Sequence, residues 1–583
     1  MAQRKTVLLG IVIFSIISKS LCCQSNISRK AFPANFDHEF DGSSLIDSIA
    51  LTPEKIVDLQ IVGKLWGFLK YYHPSVAAGN YNWDYELFRI LPKVLQTKNS
   101  KLRNKILYDW IKKLGSFKTA NLKIVDSSKV KVYPDIRWIF DKKVLGRKLS
   151  DELQKISLAE RTDSNFYVSL NPGVKNPNFS NERYYPKVKS SDTGFRLLAL
   201  FRYWNVIEYY YPYRNLIGQD WDSVLLEFIP KFTNSSETIK FQTLLADLIC
   251  RIHDTHATLQ QDNVLEIEKG MWYAPYKVSY VEDKPIIIDR FTANKKTDTA
   301  LRVGDQILKI NGCDVDSITR ELLPRTPGSN TPVQLRNIAW DLLRSKDSIL
   351  SVTYKRGAEK ITVTIQLESQ KIIHEAMRRQ AKLKQVYSIL PSNIGYICPA
   401  NIRTKSIDSI MEKLEGTRGI ILDLRYYPNE PIIYELGNYF FPESCPFEIS
   451  SRANIQSPGL FVLKDHPNEI GGNNIKHQYT GQLVLIVNEN TQSQGEFTAM
   501  GFQRYSKAVI VGSTTAGADG NISKIPLPTG LSTYISGIGI YYPDGKETQR
   551  IGIIPNTVVK PTINGLKEGR DELLEKAVEI ISK

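Results

Sequence analysis

Residues 488–500, NENTQSQGEFTAM, follow an apolar run, QLVLIV, and precede Phe497, Met500 and Phe502, which are spaced like one helix face. A strand therefore meets a helix through Asn, Thr, Gln, Ser and Gly, with Ser493 at the corner. A hydroxyl there can cap the helix, or it can act as a nucleophile where backbone N–H groups converge on developing negative charge. The stretch TQSQG (491–495) approaches the G-x-S-x-G elbow of α/β-hydrolases, with Thr491 in place of the first Gly. That fold orders its triad Ser, acid, His. The last histidine here is His477, before Ser493, so that order is excluded. A base must come from elsewhere among His38, His73, His253, His256, His374, His466 and His477. The HDTH cluster at 253–256 is the most suggestive. His253 and His256 could share a helix face as metal ligands, but no third-ligand motif and no H-E-x-x-H glutamate accompany them. A general base is the better expectation, and histidines that stabilise a helix C-terminus are the structural alternative.

These residues must be positioned by a chain of 583 residues, too long for one core and long enough for three or four domains. The apolar fraction of 42% and charged fraction of 23% suit a soluble globular protein. The formal charge of +15 is spread along the sequence rather than massed in a tail, so no nucleic-acid partner is indicated. MAQRKTVLLGIVIFSIISKSLCCQ has a basic start and a short apolar core, Val7 to Ile17. It reads as a signal peptide over 1–23, and the protein as exported to a periplasm or beyond. Its apolar run is too short to span a bilayer comfortably, and no later run suffices. Lipid anchoring at Cys22 or Cys23 is a minor alternative, because no small residue precedes either in the usual way. Cys250, Cys313, Cys398 and Cys445 form no C-x-x-C pair. Four buried thiols are expected, with one disulfide as the alternative and no zinc site.

LWGFLKYYHP (65–74) resembles YWNVIEYYYP (203–212), and NWDYELFRILPKV (82–94) resembles DWDSVLLEFIPKF (220–232). The offset is constant: 204 − 66 = 138 for the tryptophans and 230 − 92 = 138 for the prolines. This implies two copies of one helical unit, each an amphipathic helix, a loop, and a second helix opened by Trp-Asp. Asp84 and Asp222 would face the first-turn dipole. The duplicated domain is placed at 40–268, with a polar, irregular insertion at 120–190. From Trp272 strands separated by Gly304-Asp305 and Asn311-Gly312 turns indicate a small β domain at 270–370. From 385 to 583 strands alternate with helices, and apolar runs such as GIILDLR and KAVIVG indicate a parallel sheet covered by helices. Sites in such sheets lie beyond the C-terminal strand ends, where Ser493 falls. The fold class is thus multidomain α/β.

VLIVNENTQSQGEFTAMGFQRYSKAVIVGSTTAGADGN resembles the core of the tail-specific (C-terminal processing) serine peptidases. YYPDGKETQRIGIIPNTVVKPT resembles that family's closing motif, and LRVGDQILKINGCDV its PDZ domain. The resemblance spans roughly 240–560. It implies a ClpP/crotonase-like catalytic domain, a PDZ domain that takes a peptide or unfolded chain by its C-terminus, and no cofactor. Ser493 falls on the nucleophile and Glu496 on the acidic residue three positions later. The dyad lysine of the best-known members is absent: Ala518 stands there. Lys524 is the nearest lysine by sequence, with nothing to place it. LICRIHDTHATL instead resembles the D-x-H motif of the tricorn-like branch. That implies His256 as base with Thr255 beside it. The branch's acid position falls on Gln549, which could orient the ring by hydrogen bond, with Glu547 as the nearby alternative. Where the family has Gly-Gly after LDLR, this chain has Asn429 and Glu430. The N–H of Asn429 and that of Gln494 are the implied oxyanion donors. Loss of Lys, Gly-Gly and the acid leaves a second possibility, an inactive peptide- or ligand-binding protein on the same fold.

Overall fold

The computed structural model describes residues 31–583 apart from 121–124, 292–299, 383 and 474–476. The expected signal segment with Cys22 and Cys23 lies outside the described residues. Among the described residues, no helix is long and apolar enough to cross a membrane.

The two copies build the same device. Trp66 Nε1–H donates to the Trp83 carbonyl at 2.7 Å and Trp83 Nε1–H returns to the Trp66 carbonyl at 2.8 Å. Trp204 and Trp221 repeat this at 2.8 and 3.1 Å. Each reciprocal pair satisfies two indole donors in an apolar interior while clamping a long helix to the helix that follows. The long helices Pro53–Tyr72 and Thr193–Tyr210 are not amphipathic as expected. Every residue of Thr193–Tyr210 is buried, because other elements cover it on all sides. The two long helices cross at equivalent positions. A Cβ on Gly63 would meet Phe201, and one on Gly67 would sit 1.8 Å from Asn205 Oδ1; 63 + 138 = 201 and 67 + 138 = 205. Like positions face each other across a local pseudo-twofold axis, so one copy must be small where the other is large.

The duplication diverges at its aspartates. Asp222 is half-exposed and pairs with Lys64. Asp84 is buried. It accepts from Arg202 at 2.6 Å and from Tyr185 Oη at 2.8 Å, while Lys70 lies 3.5 Å away. Glu182 completes the cluster, 2.6 Å from Lys70 and 2.9 Å from Arg202 Nε. Two carboxylates and two cations thus neutralise one another out of water, and Arg202 also donates to the Pro526 carbonyl of the C-terminal region at 2.9 Å. The insertion holds more order than expected. Helix Lys142–Ser157, broken at Gly146 (φ +68), buries Leu145, Leu149, Leu153 and Ile156.

The β domain is built on a six-stranded antiparallel sheet: Tyr276–Val281, Lys284–Arg290, Gln306–Ile310, Ile349–Arg356 and Glu359–Gln366, with the short strand Cys313–Asp314 paired to Gln306–Ile310 and helix Thr331–Asp341 packed on the first. The C-terminal sheet runs in the order Tyr387–Leu390, Ile394–Ile397, Gly419–Asp423, Gln482–Val487, Ala508–Gly512, Thr557–Val558. Only its first pairing is antiparallel. The two central strands, Gly419–Asp423 and Gln482–Val487, bury continuous apolar runs, Ile420–Leu422 and Leu483–Val487, as a sheet covered on both faces requires. The four cysteines are free. Cys250 and Cys398 are buried, Cys445 is half-buried and Cys313 is exposed, so the expectation of four buried thiols holds for two. Cys313 sits after the Asn311-Gly312 turn, at a strand edge in solvent.

The contrast between the aspartates is measurable. Asp84→Ala leaves two buried cations short of a partner and should cost about 3–5 kcal/mol, read as a shift in chemical denaturation. Asp222→Ala breaks a half-exposed pair and should cost below about 1 kcal/mol. Equal losses would refute the buried network as a stability determinant.

Candidate active site

Helix Gln494–Phe502 begins at Ser493, beyond the C-terminal end of strand Gln482–Val487. Ser493 adopts φ +51°, ψ −117°. An ordinary N-cap residue is extended, so capping does not call for this conformation. A non-glycine residue held in a sparsely populated region at a strand–helix corner is characteristic of nucleophile elbows. Glu496 fixes the corner. One of its carboxylate oxygens accepts the Ser493 N–H at 3.2 Å and the Ala518 N–H at 3.0 Å. The other accepts the Gly517 N–H at 2.7 Å and the Thr515 hydroxyl. Burial pushes its pKa up despite these four donors. The Ser493 N–H also donates to the Ala518 carbonyl at 3.0 Å. Ala518 is fully buried and bonded through both backbone groups. Lys524 lies elsewhere, its Nζ 5.5 Å over the Tyr184 ring.

His256 is buried, its side chain 6% exposed. Helix Thr238–Cys250 ends before His253, which has φ +50°, so the two histidines do not share a helix face. Among the described residues, no three His, Cys, Asp or Glu side chains are grouped to hold a metal ion. His256 Nδ1 lies 3.0 Å from Ser536 Oγ and 3.4 Å from Asp254 Oδ1. Asp254 is buried and accepts the backbone N–H groups of His256 at 3.0 Å and Ser536 at 2.7 Å, and the Ser536 hydroxyl at 3.2 Å. Burial raises its pKa, but the His256 hydrogen bond and charge and these donors outweigh that and hold the carboxyl below its ordinary range. With Asp254 and Ser536 at Nδ1, Nε2 is the nitrogen left for proton transfer. Asp254, the first residue of the D-x-H motif at 254–256, is a member of the site that the sequence alone does not single out.

Among the described residues, no hydrogen bond joins Thr255 or Gln549 to the imidazole. Thr255 exchanges hydrogen bonds with Ser329, N–H to Oγ at 3.0 Å and Ser329 N–H to Oγ1 at 2.9 Å, and reaches the Ala516 carbonyl at 3.5 Å. Gln549 Nε2 reaches the same Ser329 Oγ at 3.4 Å. Glu547 has Lys131 as its charge partner. The next residues of the β domain continue the bridge. Asn330 Nδ2 donates to the Thr515 carbonyl at 2.8 Å, and Arg336 donates to the Glu489 carbonyl at 2.6 Å and to Gln492 at 3.2 Å. The His256 loop, the Ser493 loop and the 515–518 loop thus meet around 329–336. Among the described residues, no hydrogen bond joins Ser493 Oγ to the imidazole. Of the two implied oxyanion donors, the Asn429 N–H is engaged by the Pro399 carbonyl at 3.2 Å.

Residues 393–559 match peptidase family S41 and residues 270–387 match a PDZ domain. A Chlamydia pneumoniae protein is 26% identical over 142 residues, 23% of this chain and 21% of that relative. Mature CPAF complexed with lactacystin superposes with a TM-score of 0.51 at 14% identity, over 67% of this chain and 99% of that one. A serine-to-alanine mutant of CPAF gives a TM-score of 0.53 at 14% identity, over 67% and 98%. At this identity the superpositions show a shared fold. The family matches bear out the resemblance to a peptidase family, the PDZ domain and the multidomain α/β class.

Glu496→Gln tests the corner. An amide has one acceptor oxygen for four donors, so buried N–H groups lose partners. A loss of about 2–3 kcal/mol is expected, together with slower covalent modification of Ser493. A variant with unchanged stability and unchanged Ser493 reactivity would show that Glu496 does not hold the loop.

Proposed function

We propose that this chain, whose C-terminal half carries a domain of peptidase family S41 behind a PDZ domain, is an exported peptidase that cleaves peptides or unfolded proteins with Ser493 as nucleophile, His256 as general base and Asp254 as the carboxylate that orients the base. The observation that carries this reading is the Asp254–His256–Ser536 array. It fixes the ring through Nδ1 and sits across the 515–518 loop from a strained serine.

In the reaction Ser493 Oγ bonds to the scissile carbonyl carbon while its proton passes to His256 Nε2. The imidazolium is stabilised by the Asp254 carboxylate, which is already ionised. The tetrahedral intermediate collapses as the C–N bond breaks, and the amine leaves with the proton from His256. Water, deprotonated by the same ring, then releases the acyl group from Ser493. The absent Ser493–His256 hydrogen bond is in keeping with free enzymes, whose catalytic bonds tighten on substrate binding. Thr255 and Gln549 act at one remove, by seating Ser329 against the histidine loop. The PDZ domain supplies a strand edge and the adjacent Thr331–Asp341 helix for a chain terminus. Residues 1–23 are read as the export signal.

Ser493→Ala should abolish hydrolysis of a casein-like substrate with the fold intact by circular dichroism. His256→Ala should cost at least 10²–10⁴ in kcat. Asp254→Asn should cost up to about 10⁴, because an amide cannot hold the ring's N–H and charge in the same way. Thr255→Ala and Gln549→Ala should cost less than either. Near-normal kcat in His256→Ala beside a dead Lys524→Ala would overturn the assignment of the base.

Selection by the C-terminus makes a separate test. Peptides with an amidated C-terminus should show a raised KM and little change in kcat relative to the free acids. Equal kinetics on both would reject the PDZ domain as a carboxylate reader.

A further inference from the structure

Two partners compete for the nitrogen that fixes the imidazole, and the distances separate them. His256 Nδ1 lies 3.0 Å from Ser536 Oγ, an ordinary hydrogen-bond length, and 3.4 Å from Asp254 Oδ1, beyond the usual N–H···O range. That Oδ1 already accepts the His256 backbone N–H at 3.0 Å and the Ser536 hydroxyl at 3.2 Å. Oδ2 accepts the Ser536 N–H at 2.7 Å. All three residues are buried, where an unmade bond is costly. An ionised carboxylate only accepts, whereas a serine hydroxyl has one proton to give and lone pairs to receive. One pattern satisfies every group: Nδ1–H donates to Oγ, and Oγ–H donates to Oδ1. In the other tautomer Nδ1 carries no proton, so the hydroxyl must turn to it and Oδ1 loses that donor. The pattern therefore favours the tautomer whose bare Nε2 can take a proton.

The positions that the family resemblance assigns to orienting the ring are engaged elsewhere. Thr255 and Gln549 both bond to Ser329. The Ser536 hydroxyl is instead held in place by its own strand. Ser536 ends Ser532–Ser536 and pairs with Ile522 of Ile522–Pro526. The next residue, Gly537, donates its N–H to the Asn521 carbonyl at 2.8 Å. A Cβ on Gly537 would clash with Ser523 Oγ and Asn176 Cβ. Asn176 in turn donates to the Ile522 carbonyl at 2.8 Å. The chain leaving Ser536 is thus closely packed on the side away from the ring's partners.

We infer that Ser536 is a positioning residue of this peptidase: its hydroxyl accepts the His256 Nδ1–H and donates to Asp254, so the carboxylate orients the ring through the serine. This rests on the assignment of Ser493 as nucleophile and His256 as base. As the Ser493 proton passes to Nε2, no proton moves along the relay. Nδ1–H and Oγ–H stay where they are, and the Nδ1–H···Oγ bond strengthens because its donor becomes cationic.

A fluorophosphonate probe reads the base without a known substrate, because Ser493 must lose its proton as its oxygen bonds to phosphorus and fluoride leaves. The saturating labelling rate and the half-saturating probe concentration are measured on the full chain, with thermal unfolding to confirm each variant's fold. Ser536→Ala should label about 10²-fold slower at saturation, the scale of loss when a catalytic group is misplaced by about 1 Å. Its half-saturation should stay within about twofold, because the loss falls on the chemical step. Ser536→Thr keeps the hydroxyl and should label within about fivefold of wild type. Ser536→Ala combined with Asp254→Asn should be no more than about threefold slower than Asp254→Asn alone, since residues that act in series are not additive. If Ser536→Ala does not fold, Ser536→Cys takes its place, because a thiol fills the site yet is a weak donor and acceptor. Labelling at the wild-type rate without the hydroxyl, losses that multiply in the double variant, or a folded Thr variant as slow as Ala would each overturn the inference and leave the peptidase reading standing. If wild type does not label, or Ser493→Ala labels equally, the peptidase reading fails and takes the inference with it.

Discussion

A single buried carboxylate organises the catalytic end of this molecule. Glu496 stands in the first turn of the helix that Ser493 opens and accepts from the Ser493, Gly517 and Ala518 N–H groups and the Thr515 hydroxyl. Four donors around one desolvated anion form a low-dielectric network in which each bond strengthens its neighbours. The network couples two loops that leave adjacent parallel strands, Gln482–Val487 and Ala508–Gly512. It also sets what Ala518 can do. Held by Glu496 through its N–H and by Ser493 through its carbonyl, Ala518 contributes only backbone to the corner, so the proton of Ser493 has to leave in another direction.

That direction is supplied from 240 residues upstream in sequence (493 − 253 = 240) by the loop after helix Thr238–Cys250. The loop could not hold a productive pose alone. Its Thr255 is tied to Ser329, its Asp254 to the Ser536 N–H, and Gln260 beyond it makes an isolated antiparallel bridge to Ser532. Three regions of the chain therefore share one polar seam. Ser329, Asn330 and Arg336 of the β domain touch the base side, the 515 loop and the nucleophile loop in turn. A displacement of helix Thr331–Asp341 would be felt at every catalytic segment at once.

Much of this was legible in residue types and spacing. The 138-residue offset marked tryptophans that prove to pair reciprocally, and continuous apolar runs marked the buried parallel strands. Helix Lys142–Ser157 is hard to see in the sequence because its Lys and Ser content masks Leu145, Leu149, Leu153 and Ile156, whose spacing of four, four and three is helical. Asp254 is hidden for a different reason. The family resemblance puts the acid late in the chain, at Gln549 or Glu547, whereas the carboxylate beside Nδ1 is two residues from the histidine, brought there by a turn in which the Asp accepts the His N–H. The engagement of the Asn429 N–H by Pro399 had no sequence signal, since it depends on how two distant loops pack.

The shared core explains why base and nucleophile can lie on different domains without losing register. Ile525, Leu527, Leu531 and Ile535, from the hairpin Ile522–Pro526 and Ser532–Ser536, are buried in the same hydrophobic cluster as the tryptophan-paired helices. The hairpin's last residue is Ser536, which holds both Asp254 and His256. At the other end of that hairpin the Pro526 carbonyl takes Arg202 from the buried charge cluster. The helical domain and the hairpin are thus one packed body, and the imidazole is clamped between its two halves. Loosening Asp84, Glu182, Lys70 or Arg202 would act first on the hairpin and only through Ser536 on the ring. The charge cluster in the duplicated helices is therefore part of what keeps the histidine in place, although it contributes no atom to the site.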